Sequence, residues 1–435
     1  MFLMKMTNYT ITGCAKIFSI VCLVSACQAT AQFKNIEIPL AKFSYSYSGC
    51  EPSIDIHPSN ENFIAVGSIL DGYHYSTDGG ETWKSKRLKS SYGVYGDPVL
   101  KFNSKGNLFY FHLASYSKTS HLDRIVCQRA NKINESFNDG SAPKPNGKKV
   151  QDKHWVVIDS ATNAIYMTWT QFDAYDSDNP MDSSIIVFSK SLDDGDTWTI
   201  PKRISKFGGD CLDGDNTVEG AMPSFGRNGE LFVIWSGPKG LMMQVSMDKG
   251  QSWLEEELPL FEHQGGWDIK VEDFFRANGL PVFISDHTKK SPYYGNLYVN
   301  WSVQDDESGL TSVVFSRSLD DGTTWSEPVS VHKESNKYNH FLTWMTVDKS
   351  NGYLHFVYYR KSVKTKATDV VWAMSKDGGE TFIEEVISER PFEPNAFVFF
   401  GDYLNIAALN NIVRPVWPRM DEGKISLWTA LIKVE

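Results

Sequence analysis

Three acidic side chains, Asp97, Glu219 and Asp402, precede short apolar segments that recur along the chain. Two carboxylates whose surroundings separate their pKa values can act as general acid and general base, so these residues are candidates for catalysis. The alternative interpretation is that each one caps the backbone of a neighbouring element. That alternative is strongest for Asp97, because Pro98 follows it and the Asp-Pro pair favours turn initiation.

Histidine, aromatic and arginine residues occur at comparable positions. His154 precedes Trp155, a combination suited to proton transfer beside a stacked sugar ring. Tyr403 is a candidate nucleophile or hydrogen-bond donor, and together with a histidine it would suit β-elimination on a uronic-acid polysaccharide. Arg360 is suited to bidentate binding of a carboxylate or sulfate, and His340 is a second histidine candidate. For both histidines the alternative is a structural hydrogen bond between neighbouring elements.

Two acidic loops, 176–179 and 210–216, invite a metal interpretation, because clustered carboxylate and amide oxygens are the ligands that calcium prefers. Neither loop has the spacing of an EF-hand, and a solvated loop between blades is the favoured interpretation of both. We therefore predict no metal site and no cofactor, with structural calcium left as an open alternative.

An eight-residue phrase identifies the elements that must position these side chains. It reads Ser-x-Asp-x-Gly-x-Thr/Ser-Trp, and its copies begin 54 to 72 residues apart. In this phrase the Asp carboxylate can accept backbone N–H groups while the Gly takes a positive φ, which predicts a hairpin turn. The copies are 76–83, 191–198, 246–253 and 318–325, a fifth at 375–382 ending in Phe, and a degenerate sixth at 130–137.

Seven segments accompany these turns, each a small or turn residue followed by alternating apolar and aromatic positions, and each has a further short strand before it. About four strands per unit and no long amphipathic helix predict an all-β fold, a β-propeller of four-stranded blades. We favour seven blades, with six as the alternative. A strand at 34–40 is predicted to complete the last blade and close the ring, and residues 260–280 are predicted to form an insertion.

The phrase resembles the Asp-box, or BNR repeat, of the sialidase-like propeller superfamily. The segments 51–54, 96–99 and 400–403 resemble secreted bacterial members described as exo-sialidase-like. This resemblance covers nearly all of the chain after its N-terminal leader. It implies a propeller with a glycan site in the central funnel. Asp-boxes lie at the blade periphery and occur in binders and unrelated hydrolases, so the resemblance is specific for the fold rather than the activity.

Sialidases of this superfamily use an arginine triad, a tyrosine nucleophile assisted by a glutamate, and an aspartate acid/base. Their first triad arginine lies in an Arg-Ile-Pro phrase, and the comparable phrase here has Glu37 in its place. A carboxylate there would repel sialic acid, which argues against sialidase activity. The resemblance and the strand positions together give two sets of site residues. The candidate catalytic residues are Asp97, His154, Glu219, Asp402 and Tyr403, and the candidate substrate-binding residues are Trp155, His340 and Arg360.

The N-terminus has the features of an export signal. Lys5 and Lys16 precede an apolar run at 17–24 that is too short to span a bilayer. Cleavage after a small-x-small site at 29–31 would release a soluble protein, whereas 24–27 resembles a lipobox with Cys27 as the lipidated residue; both remain open. We predict a signal peptide at 1–31, one propeller domain at 32–435, and a secreted, periplasmic or outer-membrane lipoprotein location.

The 435-residue chain has a formal net charge of −10, which disfavours nucleic acid and anionic membranes as partners. No other segment reaches membrane-span length. We expect a monomer that acts on a glycan or polysaccharide, most simply as a glycoside hydrolase. The alternatives are a non-catalytic propeller that binds glycan or protein and a lyase acting on uronic-acid glycans.

Overall fold

The computed structural model describes residues 33–42, 46–115, 122–334 and 336–435. The predicted signal peptide and Cys27 lie outside these residues. The described chain contains 27 β-strands in seven antiparallel sheets, which form the blades of a seven-bladed β-propeller. The prediction of a seven-bladed propeller is confirmed, and the six-bladed alternative is wrong. Within the described residues no helix is long and apolar enough to cross a membrane.

The strands follow the chain from blade to blade. Blade 1 contains β2 (Ser53–Ile56), β3 (Ile64–Ser68), β4 (Gly72–Ser76) and β5 (Lys84–Arg87). Blade 2 contains β6 (Val99–Phe102), β7 (Leu108–Ala114) and β8 (Arg124–Ala130). Blade 3 contains β9 (Val150–Ile158), β10 (Ile165–Phe172), β11 (Ser184–Ser191) and β12 (Lys202–Arg203). Blades 4 and 5 contain β13 (Glu219–Phe225), β14 (Leu231–Gly237), β15 (Gly240–Ser246) and β16 (Leu258–Phe261); and β17 (Val282–Ser285), β18 (Leu297–Gln304), β19 (Thr311–Ser318) and β20 (Val329–Ser330). Blades 6 and 7 contain β21 (Tyr338–Val347), β22 (Leu354–Ser362), β23 (Thr368–Ser375) and β24 (Ile383–Val386); and β25 (Asn405–Leu409), β26 (Ile412–Asp421), β27 (Lys424–Lys433) and β1 (Lys34–Ile38).

Blade 2 has three strands rather than four. In place of a fourth strand, an isolated β-bridge joins Cys127 to Ser141. The turn before it is the degenerate phrase that lacks the Asp and Gly, and Pro143 and Pro145 follow. Proline has no N–H to donate to a ladder, so this segment is poorly suited to extend the sheet.

The ring closes as predicted. β1 pairs antiparallel with β27, with Lys34 opposite Leu431, so the N-terminal strand is the outermost strand of blade 7. The buried Arg414 of blade 7 also donates to the carbonyl of Gly79 in the first turn phrase. Glu37 lies exposed on this outer strand. The comparison of Glu37 with a sialidase funnel arginine was therefore wrong, since that side chain is remote from the channel.

The repeated phrase forms the hairpin turn that the sequence indicates. In blade 3, Asp193 accepts hydrogen bonds from the Thr197 backbone N–H at 2.9 Å and from the Ser191 hydroxyl at 2.8 Å. Gly195 has a φ of 83° and donates its N–H to the Ser191 hydroxyl. The copies in blades 1, 4, 5 and 6 repeat these bonds, so the phrase is a structural device at the rim.

The first strands of successive blades contact one another around the whole ring and enclose the central channel. Their apolar side chains belong to clusters that extend between neighbouring blades. The longest loop between blades is the predicted insertion, which runs from 262 to 281 between β16 and β17. It packs on other blades through Phe274, whose ring lies 4.7 Å from Phe341 and 5.2 Å from Phe400.

Candidate functional site

The backbone adopts the same unusual conformation where several inner strands reach the channel. Glu51, Asp97 and Lys153 have φ values of 50°, 48° and 45° at equivalent places in blades 1, 2 and 3. In blade 7 the place belongs to Gly401, where an added Cβ would lie 2.9 Å from the Glu51 backbone nitrogen. Left-handed residues other than glycine cost on the order of 1–2 kcal/mol each and cluster at functional sites. We call the region where these residues meet the channel mouth.

Asp402 is the centre of the channel mouth. Its carboxylate accepts a hydrogen bond from Lys153 of blade 3 and a bidentate pair from Arg276 of the insertion, with the Arg276 Nε at 2.5 Å. Asn278 of the insertion donates to the Asp402 carbonyl at 2.8 Å. Two blades and the insertion are thus joined through one carboxylate whose side chain is 4% exposed.

Further carboxylates surround this centre. Asp97 Oδ2 lies 3.7 Å from the Lys153 ammonium, and Asp213 Oδ2 lies 3.4 Å from Arg276 Nη1. Tyr175 donates its hydroxyl to Asp213 at 2.7 Å. With Glu51, Asp152 and Glu219, the described part of the channel mouth contains six carboxyl groups and two cationic side chains.

The surroundings divide these acids into two kinds. Burial opposes ionisation of Asp402, but the charges of Lys153 and Arg276 outweigh it and hold its pKa well below the usual range. Burial and the negative charge of Asp97 raise the pKa of Asp152 to about 7. Burial, together with neighbouring carboxylates, also raises the pKa of Glu51 and of Glu219. Acids with well-separated pKa values therefore lie at the same channel mouth.

Aromatic rings line the wall beneath these charges. Trp155 lies 4.6 Å from Trp344 and 5.3 Å from Tyr403, measured between ring centroids. The three rings, with Lys153 and Asn278, border a cavity of about 20 Å³. A cavity of that size holds about one water molecule, so a sugar ring enters only if part of the mouth moves.

Burial and the charge of Asp97 raise the pKa of Tyr403 well above its usual value. Its hydroxyl therefore stays protonated at neutral pH and is suited to donate a hydrogen bond. Such a phenol is a poor nucleophile, because the reactive phenolate is disfavoured.

The structure brings together five of the eight predicted site residues: Asp97, Trp155, Glu219, Asp402 and Tyr403. Glu219 is fully buried, and its carboxyl group contacts that of Asp213.

The placement of His154 at the channel mouth was wrong. It follows Lys153 on β9 and its side chain is on the opposite face of the strand, in the interface with His112 of blade 2. Burial, with the nearby His112, lowers the pKa of His154 to about 3, so the ring is neutral.

His340 and Arg360 have their contacts in and beside blade 6. These residues pair across β21 and β22 in blade 6, where His340 stacks on His332 with centroids 3.6 Å apart. Arg360 lies over Tyr338 and within 3.4 Å of Asp369. The described contacts of both residues are therefore within blade 6 and at its junction with blade 5.

Asp152 and Lys153 belong to a strand start that the sequence places at the funnel, but sequence reasoning gave them no role. It considered Asp213 only as part of the acidic loop 210–216, and it missed Arg276 and Asn278 entirely. The signal for the last two was the 72-residue interval between the turn phrases that begin at 246 and 318, the longest in the chain. That interval locates an insertion but gives no indication of where its side chains go.

Among the described residues no group of three or more His, Cys, Asp or Glu side chains is arranged to hold a metal ion. In the loop 210–216, Asp210 accepts from Thr217 and Asp213 contacts Arg276 and Tyr175, so these oxygens serve the protein itself. Cys50, Cys127 and Cys211 are buried free thiols.

The fold is similar to those of several solved carbohydrate-active proteins. An ulvan lyase of polysaccharide lyase family PL25 superposes with a TM-score of 0.54 at 12% identity, covering 92% of this chain and 96% of that one. An ulvan lyase bound to -[GlcA(1-4)Rha3S]- gives 0.52 at 13% identity, with coverages of 93% and 95%. The NanB sialidase of Streptococcus pneumoniae gives 0.49 at 9% identity, with coverages of 86% and 82%. No family model and no curated protein matches the sequence. At such identities the likeness shows the fold alone.

Proposed function

We propose that this protein is an extracytoplasmic glycoside hydrolase that acts on glycans at the channel mouth. The observation that carries the proposal is the pair formed by Asp152, whose pKa is raised to about 7, and the neighbouring carboxylate of Asp97, whose charge contributes to that rise. One acid kept protonated beside a second carboxylate is the arrangement that glycosidases use for acid and base.

In the proposed reaction, Asp152 donates its proton to the glycosidic oxygen as the bond from that oxygen to the anomeric carbon breaks. A water molecule adds to the anomeric carbon, and Asp97 accepts the proton that the water loses. The products are two sugars, one with a new reducing end, and a proton moved from Asp152 to Asp97. Tyr403 donates a hydrogen bond to the substrate, and Trp155 with Trp344 offers apolar surface for a sugar face.

Asp402 has a different role in this proposal from the one expected for a catalytic acid. Its carboxylate is already shared by Lys153 and Arg276, so it positions these cations rather than exchanging a proton. It fixes Lys153, whose ammonium also faces Asp97, and in that way it holds the charges around the reacting pair.

The test is product release by the purified protein from neutral, amino, uronic, sulfated and sialylated glycans, read by new reducing ends and by ultraviolet absorbance. We expect new reducing ends without absorbance. Asp152→Asn and Asp97→Asn are expected to lower kcat about 10²–10⁴-fold, the usual contribution of a general acid or base. Asp306→Asn is the matched control, because Asp306 is exposed in the loop after β18.

Two other results would contradict the proposal. Absorbance from an unsaturated product would indicate a polysaccharide lyase. This second candidate is favoured by the cations Lys153 and Arg276 and the protonated Tyr403 at the channel mouth, in a fold similar to that of ulvan lyase. Glycan binding without any product would indicate a non-catalytic propeller. Export, a lipid anchor at Cys27 and a monomeric state stay predictions.

A further inference from the structure

The guanidinium of Arg276 lies on a surface built to receive a cation. It makes a bidentate contact with Asp402 and a 3.4 Å contact with Asp213, and its Cζ lies 5.3 Å from the centre of the Phe399 ring. Carboxylates on one side and an aromatic face on another form a receptor for a positive group. We call Asp213, Asp402 and Phe399 the cation receptor.

Arg276, which occupies the cation receptor, belongs to the insertion rather than to a blade. Most components of the mouth lie on or beside the inner strands, whereas Arg276, like Asn278, reaches them from the 262–281 loop. Its side chain is 36% exposed, while that of Asp402 is 4% exposed. Arg276 therefore covers the deeper carboxylate from the solvent side, and its withdrawal would open the receptor outward.

The charge balance of the mouth favours a cation at this point. Burial favours the neutral forms of Glu51, Asp152 and Glu219. Without Arg276, the carboxylates of Asp97, Asp213 and Asp402 would face Lys153 as the one remaining positive side chain in the described part of the mouth. Asp402 and Asp213 would lose their partner from the insertion, and Asp213 would still face the buried carboxyl group of Glu219. A neutral ligand replacing Arg276 would leave these charges uncompensated, and an anionic ligand would add repulsion.

We propose that the substrate carries a positive amino group, as in glucosamine-type glycans, and that this ammonium replaces the Arg276 guanidinium in the cation receptor. The inference rests on the proposed function and names its substrate class. The apolar rings of Trp155, Trp344 and Tyr403 next to the receptor favour a sugar over a free amine, since they offer a face for the ring that bears the ammonium. The cavity of about 20 Å³ explains why the insertion must yield before such a ring is seated.

The test compares oligosaccharides of glucosamine and of N-acetylglucosamine with equal length and linkage, so that the amine charge is the main difference. Calorimetric binding is measured for the parent protein, Arg276→Gln and Lys270→Gln. Removing the internal competitor is expected to tighten glucosamine binding by at least about tenfold, because it frees a charge-assisted site. Binding of the N-acetylated ligand should change little. Lys270→Gln is the matched control, since it removes a 75%-exposed cation of the same insertion and should alter neither affinity.

Arg276→Lys provides a second variant if Arg276→Gln is poorly folded. It keeps a competing charge but loses the bidentate contact, so we expect glucosamine affinity between those of the parent and Arg276→Gln. In both variants Asp402 keeps its contact with Lys153. Affinity for glucosamine that falls with rising salt concentration would further support the inference.

Several outcomes would overturn it. The inference is wrong if Arg276→Gln binds both oligosaccharides equally, or if an arginine-containing peptide binds the variant more tightly than glucosamine does. Hydrolysis of neutral or uronic glycans with no glucosamine binding would overturn the inference and leave the proposed function standing. Tight glucosamine binding by Arg276→Gln without turnover of any glycan would support the cation receptor and overturn the hydrolase.

Discussion

Replacing Asp402 with Asn tests whether the channel mouth is held together by its charges. The substitution removes the nearest negative partner of Lys153, which is 9% exposed, and of Arg276, while it keeps the size of the side chain. Only the longer contacts with Asp97 and Asp213 then remain. Breaking a buried ion pair from one side costs about 3–5 kcal/mol, because the other charge stays buried without compensation. A folded body of this length has an unfolding entropy of roughly 0.8 kcal/mol/K, so the expected fall in Tm is about 4–6 °C.

The assay is differential scanning calorimetry at one fixed scan rate and pH. The double variant Lys153→Met/Asp402→Asn removes both sides of the pair and should recover most of the loss, because a buried pair exchanged for uncharged groups is often neutral in stability. Asp369→Asn is the control: it disturbs the partly exposed pair with Arg360, and such pairs contribute at most about 1 kcal/mol. An unchanged Tm for Asp402→Asn, or a double variant less stable than the single one, would refute the reasoning.

Three further predictions concern pH and the rim. The pKa of about 7 for Asp152 predicts that kcat/KM falls as pH rises through about 7, and a profile that stays flat to pH 9 would exclude Asp152 as the acid. His154 has a pKa of about 3 in the folded protein against an ordinary 6.5, so the free energy of unfolding decreases as pH falls below 6.5. Near pH 4.5 this loss is about 2–3 kcal/mol. His154→Gln should therefore flatten the dependence of Tm on pH. Asp193→Ala removes the hydrogen bonds of one turn phrase and should cost about 1–3 kcal/mol in thermal unfolding without altering kcat, whereas a fall in kcat would show that the rim turns influence the site.

The sequence could predict those site residues whose position in the fold is set by their place in the repeat. Asp97 and Asp402 come just before inner strands, and equivalent positions of a propeller converge on its axis, so their meeting could be expected from the spacing alone. His154 shows the limit of that argument. Its neighbour Lys153 takes a φ of 45°, and this local turn decides which of two consecutive side chains faces the channel.

The sequence by itself determined the architecture. Each turn phrase contains its own hydrogen bonds, as those from Thr197 and Ser191 to Asp193 show, and alternating apolar residues define each strand locally. The closing strand β1 was also visible, because an unpaired edge in blade 7 needed a partner. Only the tertiary structure decided the chemistry of the channel mouth. Arg276 is 126 residues from Asp402, and Lys153 is 249 residues from it, so the charges that hold Asp402 ionised exist only when the ring has closed. No local pattern encodes contacts between blades and an insertion, because they depend on the fold as a whole.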